Sequence, residues 1–354
     1  MTIACDLKSA MDAMDETSPP NPAEGADHPA NLGESSERLR EKALDCWYLT
    51  GATASGKTKV SVELAQLLDA EIISLDSMAI YRGMDIGTAK PNAEIRSIVP
   101  HHLLDIVDPN DSFSVSQYRQ RALETIDEIR SRGKEVVFVG GTALYLKALL
   151  RGLFPGPPAD WEFRKKIEAE LEGVESKHLY ERLQMVDPVA AHKLHANDRR
   201  RIVRALEVYR TTGKPISHWQ MEFDQVTQPT DCKVFTLRHQ RPLLHERIER
   251  RVDSMFDSGL VAEVEDLLSE WGELGHTAGQ AVGYQEVVQH LAGEVDLPET
   301  IEKVRIRTRR FARHQETWFR GMQECRIIDL EREYNELEVA QRLIDLAQSE
   351  GPLA

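Results

Sequence analysis

Cysteine is scarce and scattered: the four in 354 residues (Cys5, Cys46, Cys232, Cys325) form no C-x-x-C pair. That excludes a disulfide framework and a cysteine zinc site, fits a reducing compartment, and leaves Cys46 to be a buried strand residue. Long apolar runs are missing as well. None approaches the length of a membrane span, and the N-terminus has no apolar stretch beside a basic start, so no membrane partner is expected and the chain reads as cytoplasmic. No period between about twenty and fifty residues repeats, which speaks against a solenoid. Positive charge is short overall, with 44 Lys and Arg against 59 Asp and Glu, and a formal net charge of −15 argues on average against a polyanionic partner. The average conceals two stripes. Arg199, Arg200, Arg201, Arg204, Arg210 and Lys214 crowd one segment, and Lys303, Arg305, Arg307, Arg309, Arg310 and Arg313 crowd another. Such stripes either hold nucleic acid within an acidic protein or are solvated helix faces.

Residues 1–44, with Ser18-Pro19-Pro20-Asn21-Pro22 and almost no large apolar side chain after Met14, read as a disordered acidic tail. From Trp47 to Leu150 the texture alternates. Strand-like runs (Trp47 to Leu49, Glu71 to Leu75, His102 to Ile106, Val136 to Val139) are separated by helical stretches such as Val115 to Ser131. The expected fold is α/β: a P-loop NTPase-like, mostly parallel sheet with helices on both faces. After Phe154-Pro155-Gly156-Pro157-Pro158 strand signals vanish. Charged helical patterns over Glu162 to Gln184 and Ala190 to Thr211 predict an all-helical insertion, residues 154–231. Phe235-Thr236-Leu237 predicts a return strand, followed by helices over His245 to Asp257, Val261 to Trp271, Gly283 to Leu291 and Thr300 to Met322. The core is therefore expected over residues 45–153 with 232–325, and residues 326–354 as a C-terminal tail.

Gly51-Ala52-Thr53-Ala54-Ser55-Gly56-Lys57-Thr58 fits the G-x-x-x-x-G-K-[ST] phosphate loop, between an apolar run and the helical pattern of Val60, Val62, Leu64, Leu67 and Leu68. A strand feeding a tight turn that opens a helix converges backbone N–H groups on phosphate oxygens. Lys57 adds a mobile charge, and the Thr58 hydroxyl is a candidate Mg²⁺ ligand. Asp76, at the carboxyl end of the second strand, stands where open α/β sheets place ligands. Spacing alone leaves it as a Mg²⁺ ligand, a proton acceptor or a helix N-cap. Tyr81 to Pro91 reads as an ordered loop over the site. The fourth strand runs into Gly140-Gly141-Thr142, without the acid that many ATP hydrolases carry there; the two glycines either admit a substrate closely or simply make the turn.

Taken together, Gly51-x-Thr53-Ala54-Ser55-Gly56-Lys57-Thr58, Ile73-Ser74-x-Asp76-Ser77, Tyr81 to Pro91, Pro100-His101-His102 and Val139-Gly140-Gly141-Thr142-x-Leu144-Tyr145 resemble the tRNA dimethylallyltransferases, the IPP transferase family. Asn197-Asp198 with Arg204-Ala205-Leu206-Glu207-Val208, Val282-Gly283-Tyr284, and Thr308-Arg309 leading to Gln315-x-Thr317-Trp318-Phe319-Arg320 resemble it too, so the likeness spans about residues 47 to 325. The resemblance implies transfer of a dimethylallyl group from its diphosphate to N6 of adenine 37, just 3′ of the anticodon, in tRNAs reading codons that begin with U. It implies that the loop Gly51 to Thr58 holds the donor diphosphate in the nucleotide-binding position, with Mg²⁺ at Thr58 and Arg251 as a clamp, and that Asp76 is the base. It places tRNA contacts on Asp76, Ser77, Met78 and Ala79, on Thr142 and Arg164, and on Arg200, Arg201, Ile202, Val203 and Arg204. Further contacts are implied on Gln280, Ala281, Val282, Gly283, Tyr284 and Gln285, and on Ile306 to Arg313 (Arg307, Thr308, Arg309, Arg310 and Arg313). A monomer suits a clamp around one anticodon stem-loop.

The chain departs from the family pattern at Ala52, where Pro is common, at Met78-Ala79, at Gln285 and at Arg313-His314-Gln315. None of these removes a charge from the reacting centre. Two other classes remain on sequence grounds: a P-loop small-molecule kinase, which leaves the Arg-rich helices unexplained, and a non-catalytic RNA-binding protein with a relic loop, which leaves Lys57 with Asp76 unexplained.

Overall fold

Every residue of the central strand β1 (Trp47–Gly51) is buried, because helices cover both faces of the sheet. That is why this segment reads as a continuous apolar run rather than an alternating one. In the computed structural model six parallel strands lie in the order β3-β2-β4-β1-β5-β6, with β2 at Ala70–Ser74, β3 at His101–His102, β4 at Glu135–Gly140, β5 at Lys233–Arg238 and β6 at Arg326–Asp329. The structure describes residues 30–154, 156, 157, 159–170, 177–222 and 226–349.

Odd and even residues of β1 enter different cores. Trp47 and Leu49 pack with α2 (Lys57–Leu68), while Tyr48 stacks on Phe138 and joins the layer of α4 (Val115–Ser131) and α5 (Ala143–Arg151). Helix α4 begins where the sequence says it should, on a Ser114/Gln117 capping box that pairs otherwise orphaned N–H groups. The chain crosses from β1 past the β4 position to β2 and returns, so the ends of β1, β2 and β4 open onto one crevice at a topological switch point.

Three expectations are corrected. The strand foreseen over His102 to Ile106 stops at His102, because Leu103 and Asp105 both have φ 57° and left-handed residues cannot continue a ladder. The C-terminal stretch is no tail: β6 pairs with β5, and α15 (Glu336–Ser349) buries Val339, Ala340 and Leu343 against the α2 face. The end of the supposed disordered segment is helix α1 (Ala30–Leu44), whose Ala43 is buried and whose Arg40 donates to Leu150 O at 2.9 Å. Residues 1–29 of that segment lie outside the described residues. The described residues from Leu39 onward form one compact unit.

Among the described residues of the expected insertion five α-helices form: α6 (Trp161–Glu170), α7 (Lys177–Val186), α8 (Pro188–Lys193), α9 (Arg199–Thr212) and α10 (Ile216–Glu222). They have their own apolar centre, including Phe163, Ile167, Leu183, Ile202 and Leu206. After β5 follow α11 (Arg241–Asp257), α12 (Leu260–Trp271), α13 (Tyr284–Leu291) and the long α14 (Leu297–Arg320), started by an Asp296 cap with Pro298 in its first turn. Helix α3 (Ala93–Ile98) buries no side chain and leaves no pattern in the sequence, whereas α15 carries an apolar stripe that includes Val339, Ala340 and Leu343.

Candidate active site

The phosphate loop takes the shape its glycines allow. Gly51 has φ 143° and lies so close to the next strand that a Cβ would sit 2.5 Å from Leu237 O; Gly56 has φ 94°. No side chain caps the start of α2 at Gly56, so its first N–H groups stay available to an anion. Thr53 to Thr58 line a cavity of about 1240 Å³, whereas Gly51 and Ala52 are buried behind it. Ala52 packs with Leu244, Ile248 and Val304, which explains a small residue there.

Lys57 folds back on the loop, donating to Gly51 O at 3.0 Å and Ala52 O at 2.7 Å. Burial pulls its ammonium from 10.5 down to about 7; the nearby Arg251 adds to the drop and Asp76 opposes it. Burial also holds the Arg251 guanidinium below its ordinary value, again against the pull of Asp76. Two cations and one carboxylate therefore share a poorly solvated space, an arrangement that gains from an incoming dianion. Arg251 also donates to Thr88 O at 3.4 Å, tying it to the loop above.

Asp76 is both a cap and a free group. Its Oδ1 accepts from the N–H groups of Met78 (2.8 Å) and Ala79 (3.2 Å), while Oδ2 forms no hydrogen bond among the described residues and the side chain faces the cavity. The capping and acid–base readings are thus compatible. Ser77 N–H donates to Thr142 Oγ1 at 3.0 Å, joining the ends of β2 and β4. Gly140 is glycine by necessity, since a Cβ would lie 2.1 Å from Leu75 O.

Sequence reasoning gave no role to three residues that organise this site. Gln315 of α14 is buried; its Oε1 accepts from Thr53 N–H at 2.8 Å and its Nε2 donates to Gly141 O at 2.9 Å, joining the phosphate loop to the Gly-Gly turn. Arg247 Nε donates to Ala54 O at 2.7 Å. Glu263 accepts from the N–H groups of Asp85, Ile86 and Gly87 and from Tyr284 OH, which fixes the loop over the site. Gln315 stood within a recognised motif, and Arg247 lies one helical turn before Arg251 on α11. Glu263, on an ordinary amphipathic helix, gave no signal.

The expected RNA-contacting residues divide into two groups. Asp76, Ser77, Met78, Ala79, Thr142, Arg200, Gln280, Ala281, Val282, Arg307, Thr308 and Arg310 line the same cavity as the phosphate loop. Arg200 Nη2 donates to Gln280 Oε1 at 2.9 Å, so α9 of the insertion meets the turn before α13. For Ile202, Val203, Gly283 and Tyr284 the expectation is corrected: all are buried, and Tyr284 packs on Gly87 and bonds Glu263 instead. Arg164 and Arg204 converge on the buried carboxylate of Glu207, at 2.9 and 2.5 Å, and brace the insertion. Arg201 and Gln285 are exposed outside the cavity, as is Arg313.

The α14 stripe is likewise mixed. Arg305 pairs with Asp253, Arg307 with Glu286, and Arg309 with Glu249 and Glu302. Arg310 and Arg313 are exposed and form no ion pair among the described residues, with Phe311 exposed between them. A free cation beside an exposed ring can meet both a phosphate and a base. No group of three or more His, Cys, Asp or Glu among the described residues could hold a metal by itself. The Thr58 hydroxyl, which faces the cavity without a hydrogen bond to the protein among the described residues, suits an ion shared with a bound diphosphate. No described helix is long and apolar enough to cross a membrane.

Comparison with known proteins accords with this geometry. A family model described as IPP transferase matches residues 79–322. A tRNA dimethylallyltransferase of Rhodopirellula baltica is 49% identical over 291 residues, covering 80% of this chain and 87% of its own. One from Geobacter sulfurreducens is 47% identical over 272 residues, covering 77% and 88%. The crystal structure of a tRNA isopentenylpyrophosphate transferase from Bacillus halodurans superposes with TM-score 0.61 at 37% identity, over 87% of this chain and 98% of that one. A eukaryotic dimethylallyltransferase captured acting on tRNA gives TM-score 0.70 at 28% identity, over 87% and 80%.

Proposed function

The chain belongs to the IPP transferase family and is a transferase that puts a dimethylallyl group on tRNA; we propose that the donor is dimethylallyl diphosphate and the acceptor N6 of adenine 37, 3′ of the anticodon, in tRNAs reading codons that begin with U. The observation that carries this reading is that the phosphate loop and the unbonded Oδ2 of Asp76 face one cavity. A kinase needs the loop but gives the free arginines of α14 no task.

The adenine N6 attacks C1 of the allyl group as the bond from C1 to the diphosphate oxygen breaks, and the N6 proton passes to Asp76. Negative charge then concentrates on the departing diphosphate. Lys57, Arg251 and the loop line the cavity around that position, and Lys57 reaches it on giving up its bonds to Gly51 O and Ala52 O, so these groups stabilise the transition state more than the ground state. Mg²⁺ bound at Thr58 would share the diphosphate charge. N6 is a weak nucleophile because its lone pair is delocalised into the ring, which is why a positioned carboxylate matters. A stacked base cannot enter the crevice, so the adenine leaves the anticodon stack at a cost of about a few kcal/mol. Arg310 and the exposed Phe311 line the cavity, with Arg313 exposed one turn further along α14. The enzyme acts as a single copy on one anticodon stem-loop, in the cytoplasm.

Incubation of unmodified tRNA with enzyme, Mg²⁺ and dimethylallyl diphosphate, followed by nucleoside mass analysis, tests this. The expected product is N6-dimethylallyladenosine at position 37 alone; unaltered RNA from well-folded enzyme refutes the assignment.

A further inference from the structure

His239 follows β5 directly and lies behind the phosphate loop. Leu237 of β5 is in register with Gly51, where the loop begins, so the chain after β5 continues beside it. The His239 side chain is 2% exposed and does not line the cavity, and neither Nδ1 nor Nε2 has a hydrogen-bond partner among the described residues. Buried polar atoms without partners cost stability that an apolar ring in the same place would not. A histidine retained there points to a partner gained in another state of the loop. The free loop has reason to change state, because it is bonded to itself: Lys57 donates to Gly51 O and Ala52 O, and Ser55 N–H donates to Ala52 O at 3.2 Å. A diphosphate that takes over these donors shifts the loop.

The surroundings of the ring identify the partner. Burial, and after it Arg247 of α11, hold the imidazole below its ordinary value, while the carbonyls of Leu330 and Ser55 pull the other way. The Tyr334 ring stands 5.8 Å off. Leu330 is tied to the sheet edge, its N–H donating to Arg238 O at 2.9 Å, whereas Ser55 O belongs to the loop and accepts no hydrogen bond among the described residues. Arg247 already holds the neighbouring carbonyl, Ala54 O, at 2.7 Å. A peptide unit is planar and trans, so its C=O and N–H point in opposite directions. A donor that keeps the Ser55 carbonyl on the buried side therefore turns the Gly56 N–H toward the cavity, where a phosphate oxygen can accept from it. We propose that His239 is a positioning residue for the phosphate loop: its ring N–H takes the Ser55 carbonyl as the loop settles around a diphosphate, and so aims the Gly56 N–H at the bound anion. This rests on the reading of the loop as the donor diphosphate site.

Calorimetric titration of the full chain with inorganic diphosphate and Mg²⁺, beside thermal melts of the free enzyme, tests this. His239→Phe keeps the bulk of the ring without its nitrogens. The free variant should melt at or above the wild-type temperature, while its diphosphate affinity falls about three- to tenfold, the worth of one neutral hydrogen bond. The opposite signs separate positioning from packing, whose loss would lower both. His239→Asn and His239→Gln place an amide N–H near the Nδ1 and Nε2 positions respectively, and one of them should recover most of the affinity. Undiminished diphosphate binding by His239→Phe overturns the proposal, as does a Phe variant that melts below wild type or does not fold, or recovery by neither amide. Failure of diphosphate to bind the wild type would instead remove the donor-site reading, and the proposal with it.

Discussion

The arginines of α14 separate by salt dependence. Arg305 and Arg309 are held by Asp253, Glu249 and Glu302 at 2.5 to 3.1 Å, whereas Arg310 and Arg313 are exposed with no ion-pair partner among the described residues. An arginine that exchanges a carboxylate for an RNA phosphate leaves the carboxylate bare beside a polyanion, so it releases little counterion on balance. A free arginine releases its full share, lowering the slope of log K against log salt by about 0.7 to 0.9 per contact. Replacing both Arg310 and Arg313 by Ala should therefore flatten the slope by about 1.4 to 1.8. Between 50 and 200 mM salt, roughly 0.6 of a log unit, the affinity deficit of this variant should shrink about tenfold. Arg305→Ala with Arg309→Ala should leave the slope within about 0.3 of wild type, because exposed ion pairs contribute only about 0 to 1 kcal/mol and little counterion release. Fluorescence anisotropy of a labelled anticodon stem-loop at four salt concentrations measures this. Equal flattening by the two pairs, or none by Arg310 and Arg313, would refute the division.

Asp76→Asn keeps an oxygen to cap Met78 and Ala79 but loses the base, so single-turnover transfer should fall by about two to four powers of ten with diphosphate and RNA still bound; near-normal transfer would remove Asp76 from proton transfer. Gln315→Ala orphans Thr53 N–H and the buried Gly141 O, at about 1 to 3 kcal/mol for each group that water cannot reach, and should weaken diphosphate binding as well as lower the melting temperature; an unshifted melt contradicts that role. With Lys57 near 7 in the free enzyme, a bound diphosphate must draw in a proton at higher pH, so affinity should decline above about pH 7 by up to tenfold per unit and level off below it. Lys57→Met should lose that component, measured as proton uptake in buffers of different ionisation enthalpy. In the free enzyme the same depression makes stability rise as pH climbs from about 7 toward 10.5, because the unfolded chain then holds the extra proton.

Local rules carried much of this protein's organisation into its sequence. The phosphate loop, the parallel strands around it and helix α4 follow from spacing, glycine placement and a capping box, all of which act over a few residues. Asp76 was legible because a strand end is a local feature. Tertiary structure alone decided the rest. It set which arginines are already neutralised by acids distant in sequence, and it joined Gln315 to a loop 262 residues away. It also recruited a short sixth strand to an existing sheet edge and laid Tyr334 over Gly56. Charge pairing and packing between distant segments have no periodicity to read. Only the completed fold brings such groups within hydrogen-bonding reach and fixes which of them still face the substrate.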